Sequence, residues 1–188
     1  MKTTTSITVI TLIVSLAITL IAAFGFAQPT AKTAQAPAPA QIGLAENQIV
    51  FVLRHADTDP NSGSNPSLNA QGQARAILLA NMIQDEQLNA IYVTNTNRSI
   101  QTAAPSAAAA GITSTIYPPF DATGLATSIR ASNSANATLI IAHSNTVPTI
   151  IAALGGPSLP DLEETSFDHF YAVLLKDGRH VRTVQLRY

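Results

Sequence analysis

The 188-residue sequence contains no cysteine. That one absence removes disulfides, thiolate metal sites, a cysteine nucleophile and a lipid-modified N-terminal cysteine together. Charge is scarce as well: Asp, Glu, Lys and Arg make up 11% of the chain, and 10 basic residues against 11 acidic ones leave a formal net charge of −1. No lysine or arginine cluster is present, which argues against a nucleic-acid surface, whose affinity rests on neutralising many phosphates. Any anion site must therefore be local, built from a few side chains.

Apolar residues are abundant at 46%, partly because of alanine runs and the N-terminal segment. After Lys2, residues 7–27 run without a charge and end in small residues at Gly25 and Ala27. This resembles a secretory signal cut before Gln28; because about 20 apolar residues also span a bilayer, an uncleaved membrane anchor is the alternative. Either reading places the rest of the protein outside the cytoplasm, secreted or periplasmic, or tethered to the membrane. Residues 28–46, "QPTAKTAQAPAPAQIGLAE", lack helical or strand periodicity and read as an extended Ala/Pro-rich linker. One folded domain is expected over 47–188.

Within that domain the pattern alternates. "QIVFVL" (48–53) is a continuous apolar run suited to a strand buried on both faces, and 68–88 carries apolar residues at helical spacing. "AIYVTN" (90–95) predicts a second strand, followed by a helix through 98–110 that Pro105 kinks or restarts and Gly111 stops. "STIYP" predicts a third strand, "ATGLATSIRAS" a third helix, "ATLIIAH" (137–143) a fourth strand and "TVPTIIAALGG" a fourth helix closed by its glycines. The tail predicts two strands joined at Asp177-Gly178, a hairpin signal at the sheet edge. The expected fold class is α/β: a three-layer sandwich with a mainly parallel central sheet and helices on both faces.

In such sheets ligands bind beyond the carboxyl ends of the strands. Arg54 and His55 fall at the end of the first strand, Arg98 lies about one helical turn past the second, and His143 ends the fourth. Two arginines suit a phosphate or sulfate, because each planar guanidinium pairs with oxyanions in a bidentate way. A neutral imidazole with its proton held on one nitrogen can attack phosphorus with the other, and the remaining cations and histidine can stabilise the transferring phosphoryl group. That chemistry needs no cofactor, and four scattered histidines without a thiol argue against a catalytic metal.

The motifs carrying these residues also resemble a known family. "VLRHADT" looks like the arginine-histidine signature of the histidine phosphatase superfamily, which includes phosphoglycerate mutases and bacterial phosphohistidine phosphatases. "SLNAQGQARA" is similar to the family's Leu-Thr-x-x-Gly segment, "NTNRSIQTA" to its second arginine block and "IIAHSNTVP" to its second histidine block, all in the family's order. The resemblance implies a phosphoglycerate mutase-like fold, His55 as nucleophile, and Arg54, Arg98 and His143 as phosphate ligands, in a metal-independent phosphomonoesterase acting through phosphohistidine. Its substrate would be a phosphorylated small molecule or a phosphoprotein. Mutase activity is not expected, because few basic residues remain to hold a compact, highly anionic substrate.

The chain departs from the family pattern at two points. Ala56 and Ala142 stand where glycine is common, and the interval 99–142, where many members carry a glutamate proton donor, holds only Asp121 as an acid. Asp57 is the other candidate donor; if neither reaches the leaving oxygen, substrates with good leaving groups are favoured. Asn145 and Thr146 read mainly as helix caps, with a phosphate contact from Asn145 as the lesser role. His169 and His180 read as structural, and Asp161, Glu163 and Glu164 as a solvated acidic face. The pocket walls are expected from loops 57–67, 117–124 and 156–168. Two alternatives remain: a serine hydrolase using Ser144, disfavoured because the Gly-x-Ser-x-Gly elbow is absent, and a phosphate-binding module on the same fold without turnover.

Overall fold

The computed structural model describes residues 47–188 except 60 and 133. The leader and linker readings fall on residues outside this range. The element order is β1 (Asn47–Arg54), α1 (Ala70–Met82), β2 (Leu88–Val93), α2 (Asn97–Ala110), β3 (Thr115–Ile116), α3 (Ala122–Ser132), β4 (Ala137–Ala142), α4 (Thr146–Ala153), β5 (His169–Lys176) and β6 (Arg179–Arg187). The six strands form one sheet in the order β3-β2-β4-β1-β5-β6. β1 to β4 run parallel, while β5 pairs antiparallel with β1 and β6 antiparallel with β5.

β1 and β4 are apolar throughout because both of their faces are covered. Val50 and Val52 of β1 and Ile140 of β4 pack against Leu125, Ile129, Ile150 and Ile151 of α3 and α4. The alternate residues, Phe51, Leu53, Leu139 and Ile141, face Leu79 and Ala103 of α1 and α2 on the opposite side. Each large side chain buried this way stabilises the fold by about 1.5–3 kcal/mol. This is the expected three-layer sandwich.

Several boundaries differ from the sequence reading. The first helix begins two residues later, at Ala70, because Asn69 caps it, its side chain accepting from the Gly72 amide at 2.9 Å. Gly72 is required by a close approach rather than by conformation: an added Cβ would collide with the Asp57 carbonyl, pushing α1 away from the loop after His55. α2 runs unbroken through Pro105 and ends at Gly111 in the left-handed region, φ 66°. The third strand shrinks to Thr115–Ile116 at the sheet edge. The hairpin turn has Asp177 at φ 51° and Gly178 at φ 70°, the pair of positive φ values that matches the twist of two antiparallel strands.

β1 and β4 lie side by side, yet the chain leaves β1 toward α1 on one face and β4 toward α4 on the other. Their carboxyl ends therefore frame a crevice, the place where such sheets bind ligands. The His55 amide donates to the Ala142 carbonyl at 3.0 Å and closes the two strand ends together.

Candidate active site

A cavity of about 630 Å³ opens over this crevice, lined by Arg54, His55, Thr96, Arg98, Pro119, Phe120, His143, Ser144, Asn145, Asp161 and Glu164. Five of the residues singled out from sequence thus share one chamber: Arg54, His55, Arg98, His143 and Asn145. The His55 and His143 rings stand edge to face, 5.4 Å between centroids.

His55 is 5% exposed, and its Nδ1 lies 2.9 Å from the Ala56 carbonyl oxygen. A carbonyl only accepts, so Nδ1 carries the proton and Nε2 keeps its lone pair. The segment is pinned from α2: the Ala56 amide donates to Thr102 Oγ1 at 2.9 Å, and that hydroxyl donates to the Arg98 carbonyl at 2.7 Å. One threonine thereby ties the backbone of the first histidine to that of the second arginine.

Arg54 is 5% exposed, and burying a guanidinium is costly unless acceptors surround it. They come from the loop before β5. Nη1 donates to the carbonyls of Glu163 (3.0 Å), Glu164 (2.7 Å) and Ser166 (3.3 Å), and Nη2 donates to Glu164 Oε2 at 2.9 Å. Phe167 stacks beneath, its ring centroid 4.2 Å from Arg54 Cζ. Nε remains buried without a partner among the described residues, a donor left over for an anion. Glu164, read from sequence as part of a solvated acidic face, is exposed but not idle: Oε2 takes Arg54 and Oε1 accepts from Ser144 Oγ at 2.7 Å. The acidic-face reading is corrected for this residue because its exposed side chain still reaches across the cavity wall.

The Arg98 guanidinium makes no hydrogen bond or ion pair among the described residues. It stands at the second position of α2, where a cation opposes the helix dipole and a bound anion would relieve it. His143 Nε2 lies 3.0 Å from Thr94 Oγ1, which fixes the ring, and the His143 amide donates to Thr146 Oγ1 at 2.9 Å. Thr146 provides the local cap; Asn145 makes no side-chain cap bond and is free to face the cavity.

The two candidate proton donors are engaged outside the chamber. Asp57 Oδ2 accepts from Arg75 Nε at 2.6 Å, and Arg75 Nη1 donates to the Tyr188 carbonyl at 2.7 Å. Asp121 Oδ1 accepts from the Gly124 amide at 2.9 Å at the start of α3. Neither lines the cavity; its carboxylates are Asp161 and Glu164. Of the three loops expected as walls, 117–124 and 156–168 contribute, whereas Asp57 and Thr58 line a neighbouring depression. His169 lies beside Tyr171 Oη (3.1 Å), and His180 beside Thr183 Oγ1 (3.0 Å), both away from the chamber. No group of three or more His, Asp or Glu among the described residues is placed to hold a metal ion. Sequence reasoning missed Thr94, Thr102 and Glu164; Thr94 directly follows β2, so strand-end placement could have flagged it.

Burial, followed by the positive charges of Arg54 and Arg98, pushes His55 down to about 3, against the opposing pull of the Ala56 carbonyl. Burial, then Arg98 and Arg54, pushes His143 down to about 4. Both rings are neutral in the folded protein at neutral pH. Unfolded, each titrates near 6.5. Between pH 6.5 and 4 the unfolded chain therefore takes up protons that the folded protein refuses, so their contribution to stability is present above pH 6.5 and is lost as pH falls through that window. Acidification to pH 4 should cost a few kcal/mol from this source. Thermal unfolding of wild type and His55→Asn across pH 7 to 4 checks it: the variant should lose less stability on acidification, and parallel curves would contradict the assignment.

A family model for the histidine phosphatase superfamily (branch 1) matches residues 50–121, a span that contains Arg54, His55 and Arg98. Over that span, less than half of the chain, the sequence is similar to the histidine phosphatase superfamily. Among solved structures it is similar to the protein histidine phosphatase SixA complexed with tungstate, with 21% identity, a TM-score of 0.63, and coverage of 74% of this chain and 96% of that one. A mycobacterial glucosyl-3-phosphoglycerate phosphatase gives 15% identity, a TM-score of 0.59 and coverage of 76% and 98%. A phosphoglycerate mutase from Bacillus anthracis gives 15%, 0.56, and 74% and 93%. These likenesses establish a phosphoglycerate mutase-like fold. No curated protein matches the sequence.

Proposed function

We propose that the protein is a phosphohydrolase that cleaves phosphomonoesters through a phosphohistidine at His55, without a metal ion. The observation that carries this reading is the Nδ1 contact of His55 with the Ala56 carbonyl, which leaves a neutral ring with its Nε2 lone pair available in a chamber bearing two guanidinium groups. In the first step Nε2 forms a bond to phosphorus as the ester P–O bond breaks, and the leaving oxygen departs with that electron pair and takes a proton. In the second, water attacks phosphorus, the N–P bond breaks and its electrons return to the imidazole, releasing inorganic phosphate. Arg54, Arg98 and His143 would spread the charge on the equatorial oxygens. Because Asp57 and Asp121 are bonded elsewhere, esters of acidic alcohols and phenols, whose leaving oxygens need little protonation, should be the better substrates.

The same tie-up of Asp57 and Asp121 favours a second reading, a phosphate-binding module without turnover. Hydrolysis of p-nitrophenyl phosphate in the presence of EDTA separates them. Turnover insensitive to the chelator supports the first; phosphate binding with no turnover supports the second.

A further inference from the structure

The charge around the cavity does not suit every phosphate ester. Its two guanidinium groups, Arg54 and Arg98, are matched by two carboxylates, Asp161 and Glu164, while the two histidines are neutral. A dianionic phosphate entering this chamber thus adds negative charge to a wall that carries no net charge of its own. Glu164 is committed to Arg54 and Ser144. Asp161 is different: it is exposed and makes no side-chain hydrogen bond or ion pair among the described residues. Phe120, 82% exposed, lines the same cavity and leaves its ring face open to it. A free carboxylate and an open aromatic face are the two groups that together hold an ammonium ion, one by charge and the other through the ring quadrupole.

We infer that the cavity selects small phosphomonoesters whose alcohol or phenol part carries a positive charge, an amine or quaternary ammonium, with Asp161 and Phe120 receiving the cation while Arg54 and Arg98 hold the phosphate. This rests on the phosphohydrolase reading for its turnover, but not for its binding preference. It also separates this chamber from one built for acidic esters, because a further carboxylate or phosphate on the substrate would face Asp161 without a spare cation to meet it.

Three phenyl phosphates with similar leaving groups and different para substituents test it: O-phosphotyramine (ammonium), 4-ethylphenyl phosphate (neutral) and 3-(4-phosphonooxyphenyl)propanoate (carboxylate). Wild-type kcat/KM should favour the ammonium ester over the carboxylate ester by about tenfold or more, mostly through KM, as expected for one charge interaction of each sign at a partly solvated rim. Asp161→Asn should shrink that ratio about fivefold and Asp161→Lys should reverse it; because Asp161 is exposed, neither change threatens folding. Equal kcat/KM for the three esters, or preference for the carboxylate ester, while the neutral ester is hydrolysed, would overturn this inference and leave the phosphohydrolase reading standing. If the neutral ester is not hydrolysed at all, that reading fails instead, and calorimetric Kd values for the same three esters decide the charge preference, tighter binding of the ammonium ester upholding it and equal or weaker binding overturning it.

Discussion

His55→Asn should lower kcat toward p-nitrophenyl phosphate by about 10⁴-fold or more, the scale seen when a covalent nucleophile is removed. Asparagine keeps a polar side chain of similar reach but offers no basic nitrogen, so the loss would report chemistry and not packing. The effect should fall on kcat far more than on KM, because Arg54, Arg98 and His143 still line the phosphate end of the chamber. A variant that retains a tenth of wild-type activity would mean that water or another group attacks phosphorus directly. Far-UV circular dichroism and binding of inorganic phosphate to the same variant would show that the fold and the anion site survive.

Arg98→Ala should produce the second largest loss, about 10²–10³-fold in kcat/KM, the range found when one preorganised donor to a developing charge is removed. Arg98 is the better test of the two arginines. Arg54 holds Glu163, Glu164 and Ser166 through its guanidinium, so its removal would release the loop before β5 as well as the anion. Arg98 has no such partners among the described residues, and its loss should leave stability unchanged or slightly improved, since a cation at the start of α2 opposes the helix dipole. Kinetics and a thermal melt on one sample check both parts. A strong fall in melting temperature would show that Arg98 is structural.

These expectations depend on features that differ in how openly the sequence displays them. The convergence of Arg54, His55, Arg98 and His143 is legible because strands buried on both faces stand out as unbroken apolar runs, and whatever follows them must lie at the sheet edge. The hairpin was equally plain, since Asp-Gly is the dipeptide that tolerates two successive positive φ values. The partners of Arg54 could not be read. Three of them are main-chain carbonyls, which leave no mark on the sequence, and the fourth, Glu164, lies 110 residues away in a loop whose shape depends on the docking of Leu162. Asp57 illustrates the opposite failure. Two residues past His55, it suggests a proton donor, yet Arg75 of α1 donates Nε to its carboxylate and Nη1 to the Tyr188 carbonyl, holding Asp57 outside the chamber. Pairing of that kind is set by helix placement, which in turn rests on Gly72 letting α1 sit against the Asp57 backbone.

A nucleophilic His55 requires that phosphorus be transferred to its ring during turnover. Rapid acid-free quenching of the wild-type protein during turnover of p-nitrophenyl phosphate, followed by intact-mass analysis and peptide mapping under alkaline conditions, tests it most directly. The expected result is a species heavier by one phosphoryl group, stable to base and labile to acid, mapped to the peptide containing His55 and missing from His55→Asn. Turnover with no such species under conditions where its breakdown is slowed, or a phosphoryl group mapped to Ser144 or His143, would contradict it.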